Sequence, residues 1–111
     1  MMISEEQQQL LNRIRIVIIN KLIDSKFSVD FLANELGMNR IKLYQEVKAI
    51  TGLTPNQYIR LIRLEIAKDY LENGTYKTVK KVANEIGFHR VDYFSTLYKE
   101  QYGRMPSSYF K

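Results

Sequence analysis

Apolar residues recur at steps of three and four along almost the whole chain, and no segment of any length alternates with a period of two. Steps of three and four place apolar side chains on one face of a helix, whereas strict alternation is typical of a half-buried strand. Only two prolines interrupt the chain. The pattern therefore predicts an all-α protein.

The first predicted helix begins after Ser4, which has the spacing of a capping box with Gln7, and ends near Asp24. One face of it carries an apolar stripe, formed by Leu10, Leu11, Ile14, Ile18 and Leu22. Four more apolar residues widen this stripe, namely Ile16, Val17, Ile19 and Ile23. Two interpretations stay open: a helix packed on two sides within the domain, or an apolar face that meets a preceding domain or a second subunit.

A short helix, a tight turn and a longer helix are predicted next. Ser28 is a favourable N-cap for the short helix, Gly37 suits the left-handed turn, and Asn39 is a favourable N-cap for the longer helix. The longer helix is predicted to end at Gly52. This order of elements is the helix-turn-helix pattern.

The same pattern occurs a second time after a long helix. Thr54-Pro55 starts the long helix, because proline at the first helical position lacks only an amide hydrogen that has no partner there, and Asn73-Gly74 ends it. Thr78 can then cap a short helix, Gly87 can turn the chain, and a further helix is predicted from about Val91 to Tyr102.

The two patterns also share residues. Residues 32–38 read LANELGM, and residues 82–88, fifty positions later, read VANEIGF. At an offset of 51, four residues match four others: Lys48, Gly52, Pro55 and Tyr58 match Lys99, Gly103, Pro106 and Tyr109. One residue has therefore been inserted between Gly87 and Lys99. The chain contains two related units, which explains why so short a sequence repeats itself.

These elements divide the chain into four segments: an N-terminal connecting helix (1–27), a first helix-turn-helix subdomain (28–54), a linker helix (55–74) and a second helix-turn-helix subdomain (75–111). Within the linker, residues 55–72 span about 27 Å at about 1.5 Å per residue. That length suits two helices that must reach positions about one DNA turn, roughly 34 Å, apart. Two units in one chain can thus replace the dimer that most helix-turn-helix proteins form.

Composition excludes several classes of function. There is no cysteine, and the single histidine, His89, has no clustered partners, so we expect a turn or helix-start role for it and neither a metal site nor a cofactor. No arrangement of a nucleophile with a base, and no glycine-rich phosphate loop, indicates an enzyme. The N-terminus lacks the features of a signal peptide, and no stretch reaches about 20 apolar residues, so we expect a cytoplasmic protein without a membrane segment.

The charge of the chain favours a polyanionic partner. There are 17 basic residues against 12 acidic ones, a net charge of +5. Residues 76–111 hold seven of the basic residues and three of the acidic ones, so the excess is concentrated there. Such a surplus is typical of nucleic-acid binders.

The run from Ser28 to Phe110 resembles the DNA-binding domain of AraC/XylS-type bacterial transcription regulators. The stretch VANEIGFHRVDYFSTLYKEQYGRMPSSY is similar to that family's signature: an Ala, an Ile-Gly-Phe turn, a Tyr-Phe pair, an aromatic-Lys pair, then Gly, Pro and Tyr. The stretch RLIRLEIAKDYL resembles the family's linker helix. Residues 1–27 lie outside the signature and look like the helix that precedes this domain in hybrid two-component regulators. The resemblance implies homeodomain-like tandem subdomains that bind specific double-stranded DNA, with two recognition helices in successive major grooves, and regulate transcription.

The resemblance also implies where DNA is contacted. The base-facing side chains are expected on residues 40–48 and 90–99, and these are Arg40, Ile41, Tyr44, Gln45, His89, Arg90, Val91, Asp92, Ser95 and Thr96. The first four also share one helix face by their spacing. Phosphate contacts are expected from the lysines and the helix starts, at Ser28, Lys42, Lys48, Thr78, Lys80 and Lys99.

Side-chain chemistry narrows these roles. Arg40 and Arg90, expected at equivalent points of the two units, can bind guanine through two hydrogen bonds or hold phosphates. Gln45 can pair with adenine, and Asp92 can accept a hydrogen bond from cytosine. The apolar Ile41 and Val91 can contact thymine methyl groups.

The expected partners are double-stranded DNA, RNA polymerase, a sensor or receiver domain and, in an intact regulator, a second copy of the protein. Both a stand-alone regulator and a C-terminal output domain of a larger protein stay open, and the N-terminal helix favours the output domain. The alternative function is a helical protein-interaction module that uses the apolar face of residues 10–23. Binding to DNA should weaken steeply as salt rises, whereas apolar docking should be nearly indifferent to salt.

Overall fold

The computed structural model describes residues 2–24 and 27–110, which form α-helices, one 3₁₀-helix and their connections, without a strand in these ranges. The α-helices are α1 (Glu5–Asn20), α2 (Val29–Glu35), α3 (Arg40–Thr51), α4 (Pro55–Asn73), α5 (Val79–Glu85) and α6 (Val91–Tyr102), and the 3₁₀-helix is Pro106–Tyr109. The predicted all-α architecture, with two helix-turn-helix pairs and a long helix between them, is confirmed.

Side-chain caps fix the starts of α1, α2, α3 and α5, as the sequence predicts. At α1 the Ser4 hydroxyl accepts from the Gln7 amide at 3.0 Å and the Gln7 side chain accepts from the Ser4 amide at 2.9 Å, which completes a capping box. Three further N-caps accept an amide hydrogen from the residue three positions on: Ser28 from Phe31 (3.1 Å), Asn39 from Lys42 (2.8 Å) and Thr78 from Lys81 (3.0 Å). Each cap satisfies a donor that has no partner within the helix.

Helix α1 ends earlier than the sequence predicts, at Asn20 instead of near Asp24. Lys21 leaves the helix at φ −120° and ψ 24°, and its amide donates to the carbonyls of Val17 and Ile18. The apolar spacing continues through a turn, where Leu22 is buried although it is not helical. Periodicity alone therefore placed the helix end too late.

The described residues pack as two units. The first contains residues 2–21 and 27–62, and the second contains residues 22–24 and 63–110. Helix α1 belongs to the first unit, where it packs on α2 and buries the side chains of Leu10, Ile14 and Ile18. Helix α1, predicted as a connecting helix, thus packs in the same unit as α2, α3 and the first part of α4. The predicted division into four segments stays a prediction.

A repeated tertiary contact shows that α1 and α4 are counterparts. The Arg13 guanidinium donates to the Leu36 carbonyl at 3.4 Å, and the Arg63 guanidinium donates to the Ile86 carbonyl at 3.0 Å. Both pairs are separated by 23 residues, and both carbonyls immediately precede the glycine of a helix-turn-helix turn. Partial burial lowers the pKa of Arg63 from its ordinary value. The internal repeat therefore includes the first helix of each unit.

The turn glycines differ in their surroundings. Gly37 has φ +68° and open space where a Cβ would stand, whereas Gly87 has φ +84° and a Cβ there would collide with the Arg63 guanidinium and the Leu22 carbonyl. Both positions need a left-handed backbone conformation, which residues other than glycine rarely adopt. Only Gly87 also needs the absence of a side chain for steric reasons.

The cores of the two units differ in chemistry at matching positions. In the first unit α3 buries Leu43 and Val47, and in the second α6 buries Phe94 and Tyr98. The Tyr98 hydroxyl lies 2.9 Å from the Tyr109 hydroxyl. Burial raises the pKa of Tyr98, and the hydrogen bond to Tyr109 raises it to a smaller extent. Each core holds its longer helix, α3 or α6, by one face and leaves the opposite face to solvent.

Candidate nucleic-acid interface

Helix α3 presents its predicted base-facing residues to solvent. All four are exposed, with Ile41 at 70% and Tyr44 at 47% of their full accessibility, alongside Arg40 and Gln45. Their helix is anchored from the other side, because Leu43 and Val47 are fully buried. A solvent-exposed isoleucine and tyrosine on an otherwise polar helix face indicate a surface suited to contact with another molecule.

The cations near α3 are engaged with other groups of the first unit. The Arg40 guanidinium lies 3.5 Å from the Asp30 carboxylate, and both side chains are exposed. Lys42 pairs with Glu46 at 3.1 Å, one helical turn further on. Lys48 donates to the Gly52 carbonyl at 3.0 Å and so helps to close the C-terminus of α3. Exposed ion pairs of this kind are weak and exchange readily for other partners.

A groove lies beside this face within the first unit. Its volume is about 230 Å³. The groove is lined by Val29, Arg40, Tyr44, Thr54, Pro55 and Asn56. Two of the predicted base-facing side chains, Arg40 and Tyr44, thus border a recess that also reaches the start of α4.

Helix α6 starts differently from α3. Arg90 occupies the N-cap position of α6, with φ −111° and ψ 112°, and makes no side-chain cap hydrogen bond, so Val91 is the first helical residue. At α3 the N-cap is Asn39 and the first helical residue is Arg40. The prediction that Arg40 and Arg90 lie at equivalent points is therefore wrong, because the inserted residue falls in the turn before α6 and shifts Arg90 out of the helix.

The remaining predicted residues of the second unit lie around the start and outer face of α6. His89, Arg90, Asp92 and Thr96 are exposed, whereas Val91 and Ser95 are half-buried. The Thr96 hydroxyl donates to the Asp92 carbonyl at 3.1 Å, so its proton is used within the helix and its oxygen keeps its capacity to accept. Phe94 and Tyr98 hold the opposite face in the core.

Arg90 and Asp92 form a hydrogen-bonded ion pair. The Arg90 Nη2 atom donates to Asp92 Oδ2 at 2.8 Å, and the side chains are 75% and 72% exposed. The Asp92 Oδ1 atom accepts from the Tyr93 amide at 2.9 Å. The hydrogen bond raises the pKa of Arg90 and lowers the pKa of Asp92, so both groups remain charged at neutral pH.

The predicted phosphate contacts have mixed surroundings. Lys80 and Lys99 are exposed on α5 and α6. The hydroxyls of Ser28 and Thr78 accept amide hydrogens as N-caps, which leaves their own hydrogens as donors. Asp30, the partner of Arg40, was not predicted from the sequence, since an acidic residue in the first turn of a helix is ordinary and only the fold brings it near α3.

No helix within residues 2–24 and 27–110 is long and apolar enough to cross a membrane. Over the same residues, no group of three or more histidine, aspartate and glutamate side chains is placed to hold a metal ion.

Two units, each a short helix, a tight turn and a longer helix with an exposed outer face, define a tandem helix-turn-helix domain of the AraC/XylS type. A family model described as a helix-turn-helix domain matches residues 32–111, and the chain belongs to this family. The family is one of DNA-binding transcription regulator domains, which is not a class of enzyme.

The chain is similar to several individual proteins. Histidine kinase P4 from Formosa agariphila is 31% identical over 107 residues, which cover 96% of this chain and 8% of that protein. The HTH-type transcriptional activator RhaR from Escherichia coli K12 is 30% identical over 87 residues, which cover 78% of this chain and 30% of the activator. The C-terminal domain of the two-component response regulator yesN from Fusobacterium nucleatum has a TM-score of 0.76 at 27% identity, covering 97% of this chain and 100% of that one. The chain thus spans less than a third of the length of these two curated relatives.

Proposed function

We propose that this chain binds specific double-stranded DNA and regulates transcription by placing α3 and α6 in successive major grooves. The observation that carries the proposal is the division of each helix into two faces. One face is fixed in a core by Leu43 and Val47 in α3 and by Phe94 and Tyr98 in α6. The other face presents side chains able to contact base edges, and a helix of this size fits the major groove.

The first unit reads bases through α3. Gln45 pairs with adenine, Ile41 contacts a thymine methyl group, and Arg40 binds guanine through two hydrogen bonds. Arg40 must exchange its 3.5 Å contact with Asp30 for the base or share it, and an exposed ion pair opposes this exchange only weakly. Tyr44, on the rim of the groove, contacts a base or a sugar.

The second unit reads bases from the start of α6 onward. Arg90 extends from the N-cap position, where its backbone is not helical, so the direction of its side chain is not set by the helix as that of Arg40 is. His89 and Val91 flank it, and Ser95 and Thr96 follow one turn later with hydroxyl groups that can meet any base edge. Arg90 is the strongest candidate for a guanine contact in this unit.

Contacts to the DNA backbone supply most of the affinity. We assign these to Lys42, Lys48, Lys80 and Lys99 and to the amides at the helix starts near Ser28 and Thr78. Each phosphate neutralised releases condensed counterions, so the logarithm of the binding constant should fall linearly with the logarithm of salt concentration. These contacts position the recognition helices without reading sequence.

We place this domain in a regulator of the two-component type, where a sensor or receiver domain controls it and RNA polymerase responds to it. The support is that one relative is named a histidine kinase and that one solved structure is the C-terminal domain of a two-component response regulator. A second copy of the protein on a neighbouring site would raise the overall affinity by linking two binding events.

Selection of bound duplexes from a random DNA pool at moderate salt, followed by sequencing, tests the proposal. Two enriched blocks about ten base pairs apart are expected, because successive major grooves recur once per helical turn. A folded domain that enriches no sequence would refute sequence-specific binding. If only one block is enriched, only one unit reads bases, and the assignment of base reading to both units is refuted.

A second candidate function rests on exposed apolar side chains of α1. Ile16 and Ile19 are 58% and 48% exposed, three residues apart on one helix face. This face can dock a protein partner in place of DNA. The two functions differ in their response to salt: apolar docking should persist at salt concentrations that abolish binding to DNA.

A further inference from the structure

Both carboxylate oxygens of Asp92 are used within the protein. Oδ2 accepts from the Arg90 guanidinium at 2.8 Å, and Oδ1 accepts from the Tyr93 amide at 2.9 Å. The bond to the main chain fixes the carboxylate at the start of α6. The charged hydrogen bond is shorter, at 2.8 Å, than the 3.5 Å contact of Arg40 with Asp30, and it restrains the long Arg90 side chain beside Asp92 although both side chains stand mostly in solvent.

We propose that Asp92 is a positioning residue that orients the Arg90 guanidinium toward one base pair and does not itself contact a base. The proposal rests on the proposed function, in which the start of α6 lies in a major groove. It replaces the sequence-based expectation that Asp92 accepts a hydrogen bond from cytosine.

The geometry favours positioning for two reasons. Arginine has a flexible stem, and ordering such a side chain on binding opposes association, so a side chain that is already held binds better. The guanidinium has five N–H donors, and the bond to Asp92 uses one of them. The four that remain are more than the two acceptors that guanine presents in the major groove require.

Direct reading of cytosine by Asp92 is disfavoured by the same contacts. Each oxygen keeps a further lone pair, but a cytosine amino group would have to approach it beside the Arg90 guanidinium or the Tyr93 amide that the same oxygen already binds. While the pair is formed, Asp92 instead offsets the charge of Arg90. The pair therefore adds little attraction to random DNA and acts mainly on the preferred sequence.

The first unit provides an internal comparison. Arg40 has an acidic neighbour too, but Asp30 belongs to a different helix and its carboxylate is 3.5 Å away, compared with 2.8 Å in the second unit. A longer contact between two elements restricts the arginine less. Replacing Asp30 should therefore affect base preference less than replacing Asp92.

The test compares duplex selection by the unchanged chain and by Arg90→Ala, Asp92→Ala and the double variant. Arg90→Ala should remove the preference at one base position, and Asp92→Ala should weaken the preference at that same position, by about tenfold if most of one bidentate contact is lost. The double variant should lose no more than Arg90→Ala alone. Binding of Asp92→Ala to random duplexes should be as strong as before or stronger.

Two controls separate positioning from general effects. Glu100→Ala removes one negative charge from α6 about two turns further on and should leave every base preference unchanged. Thermal unfolding followed by circular dichroism establishes that each variant is folded. If Asp92→Ala is unfolded, Asp92→Asn takes its place, since it keeps the shape and one acceptor oxygen and should give a partial loss at the same position.

The outcomes are distinct. A change of preference at a different position in Asp92→Ala would show that Asp92 reads a base itself, and no change at any position would show that it has no role; either result overturns this proposal and leaves the proposed function standing. If Arg90→Ala loses the same affinity on every DNA sequence, Arg90 contacts phosphate, and the proposal that Asp92 positions it for a base is overturned as well. A folded, unchanged chain that enriches no sequence would overturn both proposals.

Discussion

Replacing Gly87 by alanine should destabilise the protein far more than replacing Gly37, although both glycines occupy the turn of a helix-turn-helix unit. Gly37→Ala meets no neighbour and carries only the strain of a left-handed backbone, about 1–2 kcal/mol. It is therefore a matched control that isolates the cost of the backbone conformation.

Gly87→Ala adds a collision to this strain. The new Cβ would overlap the Arg63 guanidinium, which must then leave the Ile86 carbonyl that it binds at 3.0 Å, and a hydrogen bond to a charged group contributes about 1.5–3 kcal/mol. The Leu22 carbonyl on the other side is main chain and cannot swing away as a side chain can. The two terms together give a loss of about 2.5–5 kcal/mol, a large part of the stability of a small domain.

Urea denaturation followed by far-ultraviolet circular dichroism measures both variants. The expected result is a small decrease in the unfolding free energy for Gly37→Ala and a decrease at least twice as large for Gly87→Ala. The variant Arg63→Ala combined with Gly87→Ala removes the clash with the guanidinium and should lose less than the two single losses added together. Equal, small losses at both glycines would refute the steric argument.

Three further changes have defined outcomes. Asn39→Ala should lower the unfolding free energy by about 1 kcal/mol because it removes the cap of α3, whereas Arg90→Ala should leave it nearly unchanged because no cap is lost; equal effects in urea denaturation would contradict this. Lys99→Ala should reduce the slope of binding affinity against salt by about one, measured by fluorescence anisotropy, and an unchanged slope would remove Lys99 from the phosphate contacts. Burial and the bond to Tyr109 raise the pKa of Tyr98, so the folded state keeps this proton at a pH where the unfolded chain loses it. Stability should be full below about pH 10 and fall as pH rises further, and Tyr98→Phe should show a smaller alkaline loss than the unchanged chain.

The helix starts were predictable because each depends on contacts within four residues. Ser28 and Asn39 cap the helices that the sequence assigned to them, and the signal lies in the local run of residue types. The end of α1 was predicted too late, because Leu22 keeps the apolar spacing while it packs from a turn. Local patterns mark where a helix can begin more clearly than where packing ends it.

The errors and gaps at the interface come from longer distances. The sequence showed an insertion between Gly87 and Lys99 but not its place, so Arg90 was aligned with Arg40 when it matches the N-cap Asn39. The contact of Arg13 with the Leu36 carbonyl, which ties α1 to the first unit, links residues 23 apart and has no local signature. The base-facing and phosphate-facing roles follow from the family resemblance and from helix-face spacing, and they stay predictions.

The matched lengths of α3 and α6 have a consequence for engineering. Each has 12 residues and ends at a left-handed glycine, with φ +77° at one and +79° at the other. Their outward positions can therefore be exchanged as cassettes without changing any loop. The inward positions cannot travel with them, because Leu43 and Val47 of one core match the much larger Phe94 and Tyr98 of the other. The two units thus share the length and the C-terminal geometry of this helix but not its core. Under the proposed function, a new DNA preference would be built on the exposed face of one helix while the other helix is left unchanged.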